Sequence, residues 1–130
     1  MYVNFEELNF DATDADTLKK YLDAMITVSE KAEKLDKDAP QPKQYRYLCK
    51  SVKSCFDEIF GAGTGEKICG VNDSLRVCTN AYRELIEEYN RQMREQDKAN
   101  EALAIAMTVT DPKDSGIVTV NGEGEVIGIE

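Results

Sequence analysis

The stretch IFGAGTGEKICG, residues 59–70, is the part of the chain whose composition comes nearest to a site for chemistry, because three glycines, a threonine and a lysine lie within the seven positions 61–67. A loop of this kind holds phosphate groups when it reads G-x-x-x-x-G-K-[ST] between a strand and a helix. Here the spacing from Gly61 to Gly65 is one residue too short, Glu66 would repel phosphate, and Ile68 replaces the magnesium-binding hydroxyl. The pattern therefore favours a corner between two helices over a nucleotide site.

In such a corner each of these residues has a structural task. We expect Gly61 to take the left-handed conformation that closes the preceding helix. Gly63 lets the chain turn, and Thr64 is predicted to cap the next short helix. Glu66 then lies in the first turn of that helix, where a negative charge complements the helix dipole.

Other residue types in the chain give little support for catalysis or metal binding. There is no histidine, so neither a Ser/His/Asp triad nor a mixed Cys/His zinc site can form. The cysteines Cys49, Cys55, Cys69 and Cys78 include no C-x-x-C pair, and we expect reduced, buried thiols. The acidic run at 11–16 lacks the glycine and the glutamate of an EF-hand loop, so it is interpreted as a helix cap. We predict no catalytic, metal-binding or cofactor-binding residue; a carboxylate or lysine base stays open as an alternative.

Composition narrows the classes of partner. The chain has 130 residues, the size of one domain, and a net charge of −9. That charge repels polyanions, so we predict no nucleic-acid binding, and the basic cluster at 43–53 is interpreted as the solvated flank of a helix. Neither a signal peptide nor a membrane-spanning apolar run is found in the sequence, which predicts a soluble, cytoplasmic protein that does not bind membranes.

Apolar residues at three- and four-residue spacing predict three long helices. The first covers 15–36, capped by Asp14 or Asp16, and two prolines follow it at 40 and 42. The second begins near Lys43 and runs to the corner, which is followed by a short helical piece at about 64–69. The third begins after a cap at Asn72, Asp73 or Ser74 and reaches Met93, with a frayed or bent stretch at 94–100 before a further apolar turn.

Two segments favour β structure. Residues 2–10 alternate aromatic and polar side chains irregularly, which predicts a short strand or hairpin. Asn121-Gly122 is a hairpin turn signal in the β-branched stretch near the C-terminus. The predicted fold is therefore mainly α, a three-helix bundle-like core with short extra helices and small β elements. The helical domain covers 1–110, and 111–130 forms a C-terminal extension.

Three segments of the chain together resemble a family of small proteins from tailed phages and prophages of Firmicutes. The resemblance spans about residues 5–95, and its most specific part is the corner, F-(D)-x-x-F-G-x-G-T-x-x-K-I-x-G. This chain carries that motif at Phe56, Asp57, Phe60, Gly61, Gly63, Thr64, Lys67, Ile68 and Gly70. Cys69 departs from the family, in which a larger apolar residue is typical. The resemblance implies no catalytic activity, and in size and acidity the family is similar to tail-assembly chaperones.

We therefore expect a non-enzymatic phage or prophage protein that works by protein–protein contacts in tail assembly. Its candidate interaction surface consists of Tyr47, Tyr82 and Tyr89, aromatic residues beyond those needed for a core. Two alternatives remain, a regulatory binder of a host protein and a small-molecule module at the Gly61–Gly70 corner. Self-association into a homo-oligomer is also open.

Overall fold

A computed structural model describes residues 3–110 of the chain, with side chains placed through residue 104. Four helices follow one another along these residues: α1 (Ala15–Glu33), α2 (Gln41–Phe60), α3 (Thr64–Cys69) and α4 (Leu75–Thr110). The mainly helical class is thus confirmed. The contacts divide the chain into one unit that ends at Gln92 and a second that begins at Met93. The predicted C-terminal hairpin, and with it the 111–130 extension, lies outside the described residues.

Helix ends follow the sequence signals closely. The Asp14 carboxylate caps α1 by accepting the backbone N–H of Thr17 at 3.0 Å. α2 begins two residues before Lys43, because a proline fits the first turn of a helix, where the missing N–H costs nothing. At the start of α4 the Ser74 hydroxyl accepts the N–H of Val77 at 3.4 Å. α4 then continues through 94–100 as helix, so of the two predicted alternatives, fraying or bending, the fraying is wrong.

The N-terminal segment is where the sequence interpretation fails. Within the described part of residues 2–10 no strand forms; the chain makes consecutive turns over 5–9, with Asn9 at a φ of 56°. Side chains of α4 take the hydrogen bonds that a β-ladder would have made. Buried Glu84 accepts the N–H of Val3 at 2.9 Å. The Gln92 amide donates to the carbonyl of Phe10 and accepts the N–H of Ala12. These backbone polar groups are satisfied without a second strand.

This segment also supplies aromatic side chains to the core. Phe10 packs edge-on against Phe60 at the end of α2, with ring centroids 5.6 Å apart, and also contacts Tyr21 of α1. Tyr21 in turn stacks on Tyr89 of α4 at 4.3 Å. The largest fully buried side chains of the first unit come from α2 and α4: Phe56, Leu85, Cys49, Cys55 and Cys78. Burial of these rings and thiols against one another is what holds the helices together.

Contacts along the helices give their relative directions. The Tyr47 hydroxyl of α2 donates to the carbonyl of Lys31 near the end of α1, so these two helices form an antiparallel pair. α4 runs in the same direction as α2. Its start lies beside the middle of α2, where Cys78 contacts Cys49. Further along, Gln92 binds the Phe10 backbone beside the end of α2. α3 therefore has to carry the chain back along α2 before α4 begins.

Gly65 permits that return. A Cβ atom built on Gly65 would lie 2.1 Å from the backbone carbonyl oxygen of Lys53, far inside van der Waals contact. The α3 backbone therefore packs directly against the α2 backbone, with no side chain between them. Gly65 is buried, and its role differs from the turning and capping roles predicted for its neighbours. The only sequence signal for it is the third glycine of GAGTG, which neither a turn nor a cap requires.

We predict that Gly65→Ala costs about 3 kcal/mol of unfolding free energy or more, because the obstacle to the methyl group is backbone, which cannot move aside. Gly61→Ala should cost about 1–2 kcal/mol, since its Cβ would meet nothing within 4 Å and only the positive φ of 114° is strained. Urea unfolding of both variants provides the comparison. Equal losses for the two variants would contradict a close α3–α2 approach.

Candidate functional site

The corner is built around Asp57, a residue of the sequence motif. Its carboxylate, at the end of α2, accepts the backbone N–H of Gly65 at 2.7 Å. Asp57 is thus the cap of α3, although it lies eight residues earlier in the chain. Thr64 is the first residue of α3 and Gly63 is its N-cap, without a side-chain hydrogen bond, so the predicted Thr64 cap is wrong. A carboxylate from the preceding helix replaces it because the corner folds α3 back onto α2.

The glycines of the corner take conformations that other residues rarely adopt. Gly61 ends α2 at φ 114° and ψ 157°, an extended conformation with positive φ rather than the predicted left-handed helical one. Gly63 is left-handed, at φ 91° and ψ −14°, as its turning role requires. Gly70 ends α3 with a φ of 85°. These three glycines set the direction of the chain, whereas Gly65 sets the distance between α3 and α2.

The remaining motif residues face different surroundings. Phe56 is fully buried and stacks on Phe60, with ring centroids 6.1 Å apart. Ile68 is half-buried, while Lys67 is exposed. The motif is therefore one structural assembly that leaves its lysine in solvent. A phosphate group would find the Gly65 amide already bonded to the Asp57 carboxylate, whose charge would repel it. The corner geometry supports a structural role.

The return of α3 creates a groove beside α2. Residues 72–74, just before α4, lie against the first turns of α2, and the space between them is about 430 Å³. This α2–loop groove is lined by Gln41, Pro42, Tyr45, Arg46, Asn72, Asp73 and Ser74. Tyr45 is among the exposed large side chains of the described residues, and Val71, next to the loop, is more exposed still. Tyrosine and arginine are the side chains that most often dominate binding energy at protein interfaces.

Asp73 fixes one wall of the groove. Its carboxylate pairs with Lys53 at 3.1 Å and with Arg46 at 3.3 Å. The Lys53 ammonium also donates to the carbonyl of Asn72 at 3.0 Å, and its side chain is only 14% exposed. The hydrogen bond from Lys53 lowers the pKa of Asp73 below its usual range. The same loop that forms the groove is thereby tied to the centre of α2.

The three candidate interface tyrosines each make a contact within the first unit. Tyr47 bonds the Lys31 carbonyl, and the Tyr82 hydroxyl lies 3.4 Å from the sulfur of Met25. Tyr89 stacks on Tyr21. All three candidates are half-buried, so each leaves part of its surface open. They lie along the α1–α2 and α1–α4 seams and do not line the α2–loop groove.

The cysteines are all free and buried, as expected. Cys49 and Cys69 each make a thiol contact with Cys78. Burial raises the pKa of Cys49 to about 12, which keeps that thiol protonated and unreactive. Among the residues that the structure describes, no cluster of three cysteine or carboxylate side chains could hold a metal ion. Within the same residues, no helix has the length and apolar character needed to cross a membrane.

A second groove, of about 630 Å³, lies between the N-terminal turns and α4. Its polar side chains bond to one another: Glu88 accepts from Arg91 at 2.7 Å and from Gln92 at 2.8 Å. The Arg91 hydrogen bond lowers the pKa of Glu88 below its usual range. Gln92 in turn binds the backbone of the N-terminal segment at Phe10 and Ala12, so the groove belongs to that anchorage.

Comparison with known proteins identifies a family whose function is unknown. A family model described as a family of unknown function (DUF6673) matches residues 4–108, and the chain belongs to that family. No curated protein and no solved structure matches the chain. The match includes the corner, the α2–loop groove and the N-terminal anchorage.

We predict that Asp57→Ala costs about 1–2 kcal/mol of unfolding free energy, because the Gly65 N–H loses its acceptor in a half-buried position. Asp57→Asn should cost less, since an amide oxygen can still accept that bond. Thermal unfolding measures both variants, with Glu58→Ala as control, because Glu58 is the exposed neighbour on α2. A loss for Asp57→Ala no larger than for Glu58→Ala would contradict the cap.

We predict that Asp73→Asn lowers stability at pH 7 by about 1 kcal/mol, because Lys53 keeps its charge without a counter-charge. The folded-state pKa of Asp73 is depressed, so its contribution is present above the unfolded pKa. It is lost as the pH falls through the folded value. The difference from wild type should therefore shrink below about pH 4. Urea unfolding from about pH 7 to about pH 2.5 measures it, with exposed Asp38→Asn as control. A difference independent of pH would contradict the assignment.

Proposed function

We propose that this member of a family of unknown function has no chemistry of its own and acts by binding another protein through the α2–loop groove. The observation that carries the proposal is the combination of an exposed Tyr45 with Arg46 in a groove whose other wall is anchored by half-buried Lys53. An aromatic ring and a guanidinium on a rigid support are suited to a protein partner.

The chemistry of the groove favours a peptide segment over a small metabolite. It is open and shallow, and a polar loop faces the aromatic and proline side chains of α2. Asp73 is already paired with two cations. It therefore forms part of the groove wall and is not positioned to act as a general base. A segment with an apolar side chain for Tyr45 and an acceptor for the exposed Arg46 fits this arrangement.

We propose further that the partner is a phage tail protein and that the complex forms in the host cytoplasm during tail building. The support is the resemblance of the corner motif to small proteins of tailed phages, together with the acidic composition. The motif and the groove are physically linked, because the corner brings residues 72–74 against α2. A host regulatory protein is the competing partner.

The test is co-expression of the tagged full chain with phage tail proteins, and separately a pull-down from host lysate. We expect retention of one tail protein, and a loss of at least about tenfold in affinity for Tyr45→Ala, since truncating a central aromatic residue typically costs more than about 1.4 kcal/mol. Stability should change little, because Tyr45 is exposed and bonds only Gln41 in the described residues.

Lys43→Ala is the matched control, because Lys43 is exposed on the same helix and does not line the groove. It should bind as wild type does. Retention of no tail protein would contradict the tail assignment. Binding that survives Tyr45→Ala unchanged would place the contact elsewhere on the molecule.

A further inference from the structure

A second surface, apart from the α2–loop groove, carries exposed apolar side chains. Leu22 and Ile26 of α1 are 45% and 58% exposed, although the other large apolar residues of this helix are buried or half-buried. The two are one turn apart, so they form a continuous strip. Burying both would remove substantial apolar area from water, which favours a partner that covers this strip.

The strip lies next to the seam between α1 and α4. Tyr21 and Met25 contact α4, and Leu22 and Ile26 each follow one of them by one residue, about 100° further round the helix. The contacts of Lys31 with α2 are on the opposite side of α1. The open edges of half-buried Tyr82 and Tyr89 lie along the same seam. Two antiparallel helices therefore present one mixed aliphatic and aromatic face, which we name the α1–α4 face.

At one end of this face, the side chains on its two edges carry opposite charges. On the α1 side, exposed Glu30 and Glu33 extend the strip beyond Ile26. On the α4 side, exposed Arg76 makes no ion pair within the described residues, whereas Arg83, seven residues later on the same side of the helix, already pairs with Glu87 at 3.0 Å. Because α1 and α4 are antiparallel, with Met25 beside Tyr82, the level of Glu30 along the bundle corresponds to that of residues close to Arg76.

We propose that the α1–α4 face is a homodimer interface, in which a second copy of this chain packs its α1 over α4 of the first. The two copies are related by a twofold axis parallel to the helices. The occupant follows from the charges, because this symmetry lays Glu30 on α1 of each copy over Arg76 on α4 of the other copy, at the same height. A twofold axis across the helices would instead lay α1 over α1 and α4 over α4 of the second copy, and Arg76 would then not face Glu30.

The dimensions agree with such a dimer. α1 has 19 residues and is about 28 Å long, and two neighbouring helices make a face roughly 20 Å wide. That is on the order of the 800 Å² that each partner of a standard interface buries. The product is an antiparallel four-helix arrangement, in which the apolar strips of both copies are covered.

Analytical ultracentrifugation of the full chain from about 1 to about 200 μM provides the test. We expect a concentration-dependent dimer, and a monomer for the double variant Leu22→Glu/Ile26→Glu. Arg76→Glu, and separately Glu30→Arg/Glu33→Arg, should each weaken dimerisation at least about tenfold, since every substitution occurs twice in the interface. Combining the two charge reversals should restore the affinity to within about threefold of wild type.

Lys50→Glu and Glu58→Arg are matched charge reversals on exposed positions of α2, outside the proposed interface, and should leave the dimer unchanged. Circular dichroism and thermal unfolding confirm that each variant is folded. A wild-type monomer over the whole range would overturn the proposal. So would a dimer that is indifferent to both charge reversals, or one that the combined reversal does not restore. Tail-protein binding by a Leu22→Glu/Ile26→Glu monomer would leave the α2–loop groove assignment intact, because the two surfaces share no residue.

Discussion

The backbone contact between Gly65 and Lys53 is the constraint on which the rest of the first unit depends. Only a residue without a Cβ lets α3 lie directly on α2, because the alternative places a methyl group 2.1 Å from a carbonyl oxygen. Once α3 lies there, the Asp57 carboxylate is within reach of the Gly65 N–H and caps the short helix. The chain then emerges beside the middle of α2 and not beyond its end. Asp73 can therefore pair with Lys53, and α4 can begin parallel to α2.

The same constraint explains why the glycine-rich, lysine-containing corner is suited to a structural role and not to phosphate binding. Each feature that suggests a phosphate loop has a structural use: positive φ values for direction, an absent Cβ for close approach, and an amide for the Asp57 bond. The two open surfaces on which the proposals rest are the α2–loop groove and the α1–α4 face. The proposed function rests on these surfaces. The corner supports them because it fixes where α3, the loop and the start of α4 lie.

Helix positions and the corner could be predicted from the sequence because they depend on local signals. Asp14, the prolines before α2 and the glycines at 61 and 63 act on residues within one turn of themselves. The predicted N-terminal hairpin was wrong because the partners of Val3 and Phe10 are Glu84 and Gln92, about 80 residues away. No local sequence pattern predicts that side chains of a distant helix will make the hydrogen bonds that a neighbouring strand would have made. The Asp57 cap was missed for a related reason, since local rules place a cap directly before its helix. The binding surfaces were harder still: Tyr45 and Tyr47 share one basic cluster of α2, and which of them faces solvent depends on where α3 and the loop dock.

Native-state hydrogen exchange at the Gly65 amide tests most directly whether α3 lies on the α2 backbone. This amide is bonded to Asp57, and its residue is buried against Lys53, so we expect protection comparable to that of amides in the centre of α2. Exchange at the rate of an exposed loop would mean that α3 does not rest on α2, and the support for both proposed surfaces would be lost.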